Sequence, residues 1–172
     1  YQAFVVPYCQ YGAQSGRKVI YLRYANHPPL IEPEMFDGDV ERYDLDPEIG
    51  FEPFLDAVHT IIENTPRGAY YVFDSLSNLA ATWYSDQMLC NFFMLTCPYL
   101  FDRGDLAYFA VIRDSHSNEA VMPIRETAQV MIDVYRYKED LYLRPVKTQQ
   151  RFSPNMHTLH QWQEGNFTPI SE

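Results

Sequence analysis

A carboxylate closes the most apolar short run of the chain, Ala69-Tyr-Tyr-Val-Phe-Asp74. At the C-terminal end of a buried strand, such a residue stands where open α/β sheets bind ligands. Nucleotide hydrolases hold Mg²⁺ at the same place, directly or through water. Asp74 is therefore a candidate metal ligand, with Ser75 beside it as a nucleotide or Mg²⁺ contact. The plainer alternative is that Asp74, Ser75 or Ser77 caps the turn that follows. Asp114 and His116 come after the next apolar run, Leu106 to Ile112, and belong to the same expected rim. An imidazole there suits phosphate sensing or base chemistry near neutral pH. An exposed loop histidine is the bland reading. Lys147 and Arg151 lie at and just past the end of an alternating segment. Such cations suit a phosphate or a subunit interface, or are simply solvated strand-end charges.

Three other groupings carry less. Gly12-Ala-Gln-Ser-Gly16-Arg-Lys18 has the glycines and lysine of a phosphate loop at the wrong spacing, with Val19 where a Mg²⁺-binding hydroxyl belongs. It also runs from helix into strand, the reverse of a phosphate loop. Gly16 reads better as a helix C-cap. Asp37-Gly38-Asp39 lacks the further acids of a calcium loop. His157 and His160 fall on opposite faces of an expected strand, which argues against a shared metal.

The elements that must position these residues follow from periodicity. Helical spacing runs from Tyr1 to Ser15, with Pro7 as a kink, and Lys18 to Tyr24 reads as a buried strand. Pro28 to Glu48 is a long loop holding four prolines and eight carboxylates, interrupted by a short strand at Arg42 to Leu45. Phe51, Phe54, Leu55, Val58, Ile61 and Ile62 stripe one helix, and Ser85 to Phe101 forms another, bent near Pro98. A short helix is expected around Glu119 to Gln129. Val130 to Lys138 and Leu141 to Thr148 predict an antiparallel hairpin, with two further strands near His157 to Gln163 and Phe167 to Ile170. Alternating helices and buried strands predict an α/β fold with a largely parallel sheet and an antiparallel edge.

Composition bounds the function. The 172 residues are 47% hydrophobic and 16% aromatic, enough for one domain with a core over 1–172. No apolar run nears the ~18 residues of a membrane span. A net charge of -10 argues against nucleic acid or an anionic membrane as main partner. Cys90 and Cys97, seven apart on one helix, cannot close a disulfide, so reduced thiols and a cytoplasmic location are expected. The 14 tyrosines and 11 phenylalanines suit an interface as well as a core.

The order of elements around Tyr70-Tyr-Val-Phe-Asp74-Ser75, ending in a hairpin near Lys147, resembles the RecA/KaiC-like ATPase core. That likeness implies a mostly parallel sheet flanked by helices, with an antiparallel C-terminal hairpin or meander. It also implies ATP and Mg²⁺ near Asp74, and a phosphate loop upstream of Tyr1 in a longer chain. A narrower resemblance is carried by Trp83-Tyr-Ser-Asp86, Asn91-Phe-Phe-Met-Leu-Thr-Cys-Pro-Tyr99 and Val146-Lys-Thr-Gln-Gln-Arg-Phe-Ser-Pro154. These look like the N-terminal region of phosphoenolpyruvate synthase/pyruvate phosphate dikinase-like proteins. KaiC-like ATPases carry a catalytic Glu after the strand that here ends at Tyr24, yet this chain reads Arg23-Tyr-Ala-Asn-His27. The resemblance thus implies a degenerate accessory or regulatory domain without catalysis of its own. Its partners would be other domains of a phosphotransferase-type parent, or further copies of itself. The alternatives are an active ATPase with its phosphate loop upstream, and a small-molecule binder using the crevice beyond Asp74 and Asp114.

Overall fold

The computed structural model describes residues 2–149, 154 and 156–170. Two compact units divide the chain, one spanning residues 2–127 and the other 128–172.

The first unit is built on four parallel strands: β1 (Val19–Arg23), β2 (Val40–Asp44), β3 (Tyr70–Asp74) and β4 (Leu106–Phe109), in the order β2-β1-β3-β4. Parallel strands need crossovers, and helices supply them. Helix α1 (Gln2–Gln14) precedes β1, and α2 (Phe51–Asn64) links β2 to β3. Helices α3 (Leu76–Trp83) and α4 (Asp86–Asp102) link β3 to β4, and α5 (Asn118–Thr127) closes the unit. Alternation along the strands sends residues to two helical layers. Val19, Tyr21 and Val72 face Val5, Cys9 and Ala13 of α1, with Ile31 and Val40 completing that core. The opposite face is aromatic: Phe73 stacks on Phe109 at 4.3 Å and meets Phe92 of α4 edge-on at 6.0 Å. Phe54 of α2 and Trp83 of α3 join the same cluster. Gly12 permits the close approach of α1, because a Cβ there would lie 2.8 Å from the Tyr70 ring and 2.9 Å from Val19.

Several expectations are corrected. The expected third helix begins one residue later, at Asp86, with the Ser85 hydroxyl accepting from Met88 N–H, and α3 precedes it where the sequence predicts a turn. The short strand in the acidic loop starts earlier, at Val40, and pairs in parallel with β1. β4 is shorter than the apolar run and lies at the sheet edge, half-exposed. It ends because the next residues bond to α3 instead: Leu76 N–H donates to Ala110 C=O at 2.9 Å, and Ile112 N–H to Ser77 Oγ at 2.8 Å.

The antiparallel part is a second sheet, not an edge of the first. It holds β5 (Val130–Tyr137), β6 (Asp140–Thr148), β7 (His160–Gln163) and β8 (Asn166–Pro169), in sequential order. The hairpin turn is Lys138-Glu139, since Tyr137 pairs with Asp140. His157 precedes β7, so the two histidines expected on one strand are not both strand residues. Lys147 sits on β6 opposite Met131, and Arg151 lies outside the described residues.

Candidate functional site

Parallel register brings Arg23 of β1 level with Asp74 of β3, so the segment after β1 runs beside the end of β3. Asp74 is fully buried. Tyr21, two residues up β1 on the same face, donates its hydroxyl to Asp74 Oδ2 at 2.5 Å and accepts from Leu30 N–H at 3.2 Å. His27 places Nε2 3.0 Å from Asp74 Oδ1 and Nδ1 2.8 Å from Pro28 C=O. Arg23 holds that turn in place through its Nη2, which donates to His27 C=O at 2.6 Å.

The Pro28 contact assigns one ring proton, and the burial of Asp74 favours an uncharged pairing at the other nitrogen. Pro28 C=O can only accept, so Nδ1 carries a hydrogen, and the neutral ring then offers a lone pair at Nε2. A carboxylate facing that lone pair would be unpaired, whereas a carboxylic acid donates to it. The chain Leu30 N–H to Tyr21 hydroxyl, Tyr21 to Asp74, Asp74 to His27 and His27 to Pro28 is then complete without any net charge. Burial pushes the Asp74 carboxyl up to about 7, in keeping with a protonated side chain. Burial and the neighbouring Asp74 also push the Tyr108 hydroxyl well up.

The other rim candidates divide. Ser75 is the N-cap residue of α3, but its hydroxyl donates to Asn78 Oδ1 at 2.6 Å and caps no backbone N–H. Neither Asp74 nor Ser75 is thus the side-chain cap that the bland reading expected. Asp114 is 89% exposed beside Arg113, at 3.4 Å. His116 turns away from solvent, with Nε2 2.7 Å from Ser77 Oγ and Nδ1 2.7 Å from Asp86 Oδ1. Sequence reasoning named neither Tyr21 nor His27 nor Asp86 as site residues. His27 alone had a usable signal, since the segments after adjacent parallel strands share a rim. Among the described residues no group of three or more His, Cys, Asp or Glu side chains is arranged to hold a metal ion. Among them, too, no helix is long and apolar enough to cross a membrane.

The fold defined by this sheet, its flanking helices and the separate hairpin sheet is KaiC-like. The chain is similar to the crystal structure of the KaiC-like protein PH0186 from Pyrococcus horikoshii OT3, with a TM-score of 0.64 over 98% of this chain and 83% of that one, at 14% identity. No family model matches the chain, and no curated protein does.

Proposed function

We propose that this chain is a KaiC-like domain that has lost nucleotide hydrolysis and serves as an accessory or regulatory module. The observation that carries the reading is the commitment of both Asp74 oxygens. A carboxyl that holds Mg²⁺ must be ionised, with a lone pair directed at the ion. Here one oxygen accepts from Tyr21 and the other is joined to His27, on a side chain with no exposure. The segment after β1 supports the same reading, because it runs Arg23-Tyr-Ala-Asn-His27 where the resemblance calls for a water-orienting Glu. The residue patterns at Trp83–Asp86, Asn91–Tyr99 and Val146–Pro154 support attachment to a phosphoenolpyruvate synthase/pyruvate phosphate dikinase-like parent. Its partners would then be the other domains of that parent or further copies of the chain, with Lys147 and Arg151 as interface cations.

Calorimetric titration of the full-length protein with Mg-ATP tests this. The expected result is no binding in the micromolar range and no difference between wild type and Asp74→Asn. Micromolar binding abolished by Asp74→Ala would overturn it in favour of an ATP-binding domain. Sedimentation of the chain with and without the catalytic domains of its parent tests the association.

A further inference from the structure

Ser77, His116 and Asp86 come from α3, from the loop before α5 and from the first turn of α4, yet they form one hydrogen-bonded line. Ser77 Oγ lies 2.7 Å from His116 Nε2, and His116 Nδ1 lies 2.7 Å from Asp86 Oδ1. Asp86 Oδ2 accepts from Ser117 N–H at 2.7 Å, which fixes the orientation of the carboxylate at the ring. That bond and the imidazole hold the Asp86 carboxyl below its ordinary value, so it is an anion at neutral pH. An anion at Nδ1 keeps the hydrogen there and turns the Nε2 lone pair toward the serine hydroxyl. This is the order of roles in a serine nucleophile, its base and the group that orients the base.

We propose that Ser77 is an activated nucleophile that accepts acyl groups from small apolar esters, with His116 as its base and Asp86 as a positioning residue. A hydroxyl has one donor and two lone pairs. The donor faces His116 and one lone pair takes Ile112 N–H, leaving the second for attack. As Oγ bonds to the acyl carbon, its proton passes to His116 Nε2 and the carbonyl electron pair moves onto oxygen. Collapse expels the alcohol, which leaves with the proton from His116. Water then attacks the acyl-serine with His116 again as base, releasing the acid and restoring the hydroxyl. Ile112 N–H, bonded to Ser77 Oγ, fixes the orientation of the hydroxyl whose proton faces His116. Ser77 is 6% exposed, while Val111 and Ile112, on the loop that carries its donor N–H, are 37% and 60% exposed. The apolar side chains of that loop favour short, uncharged acyl chains as the substrate class. The proposal stands apart from the accessory reading, since neither Asp74 nor a nucleotide takes part.

The test uses the full chain and a small dialkyl fluorophosphonate. Ser77 Oγ would form the P–O bond as the P–F bond breaks, and fluoride leaves with the proton relayed by His116. Intact-mass and peptide mapping should show one adduct, at Ser77, absent in Ser77→Ala and after unfolding in urea. His116→Ala should slow labelling by about 10²-fold or more, and added imidazole should restore part of it. Asp86→Asn should move the pH profile of labelling, which a purely structural carboxylate would leave in place. Circular dichroism on each variant separates loss of chemistry from loss of fold. No Ser77 adduct on folded wild type, or equal labelling of folded His116→Ala, would overturn the proposal.

Discussion

Asn is the nearest neutral copy of a protonated Asp, so Asp74→Asn should keep the hydrogen-bond chain at the rim and remove only its ionisation. The carbonyl oxygen of the introduced amide would accept from Tyr21, and its NH₂ would donate to His27 Nε2. In the wild type, burial moves the carboxyl from 3.8 to about 7, roughly three pH units. The folded state therefore holds this proton more tightly than the unfolded state does. Stability from this group is complete below about pH 4, falls as pH rises from about 4 to about 7, and levels off above that. At ~1.4 kcal/mol per unit the span is ~4 kcal/mol, an upper figure because solvent can enter as the site ionises. The charged and titratable groups that act on this chain of bonds include the N-terminal amine, which draws the Asp74 carboxyl down against burial, together with Tyr21, Arg23, His27, Arg42, Asp44 and Tyr108, none altered in the variant. The assay is urea unfolding from pH 4 to 9, followed through Trp83 fluorescence in a Trp162→Phe background so that residues 2–127 report alone. Wild type and variant should agree at pH 4, with the variant the more stable at pH 8 by up to ~4 kcal/mol. Parallel curves across that range would mean that folding does not raise the affinity of Asp74 for its proton, and would refute the neutral relay.

Three further substitutions probe the scaffold, each read by chemical denaturation. Phe73→Ala removes a fully buried ring stacked on Phe109 and edge-on to Phe92, and should cost ~3–5 kcal/mol. Asp105→Ala strips Gly68 and Ala69 N–H groups of their acceptor at 2.6 and 3.0 Å and takes from Arg103 its carboxylate at 2.8 Å, leaving only its bond to Thr65 C=O and its place over the Tyr99 ring. Loss of that buried pair should cost ~3–5 kcal/mol, with exchange of the Gly68 and Ala69 amides accelerated. Gly12→Val forces side-chain atoms into Tyr70 and Val19, and should cost ~1–3 kcal/mol through displacement of α1.

Apolar spacing made most elements of the first unit legible, because Val19 to Leu22 and Tyr71 to Phe73 are buried on both faces. Asp74 was legible for the same reason: a carboxylate closing such a run marks the end of a buried strand, although here the side chain itself stays in the core. Its partners were not, since His27 reaches it through register between β1 and β3 and through a turn held by Arg23, neither of which leaves a periodic trace. Helix α3 was hidden by its own opening, Ser75-Leu-Ser-Asn, whose side chains favour turns, and by its left-handed C-cap, Tyr84. The far end of β4 was overread because Ala110 to Ile112 are as apolar as the strand, while their hydrogen bonds go to α3. His116 was noticed in the sequence, but Ser77 and Asp86 stand 39 and 30 residues from it, and only the fold joins them.

Both histidines of the rim are paired with a carboxyl, yet the two pairs are electrically opposite, and the difference decides where chemistry can occur. Asp74 has no exposure and its oxygens meet a phenol and an imidazole lone pair, so the acid keeps its proton well above the ordinary carboxylate range, up to about 7. Its imidazole is then spent as an acceptor and has no basic site to offer. Asp86 is about a third exposed and accepts a backbone N–H in addition to its imidazole, so it sheds its proton. The charge it keeps fixes Nδ1–H on His116 and leaves Nε2 basic, facing a hydroxyl. Environments that drive two carboxyls apart in this way separate acid from base within one site. Here they separate a closed structural relay from the one imidazole at the rim that is set to take a proton from Ser77.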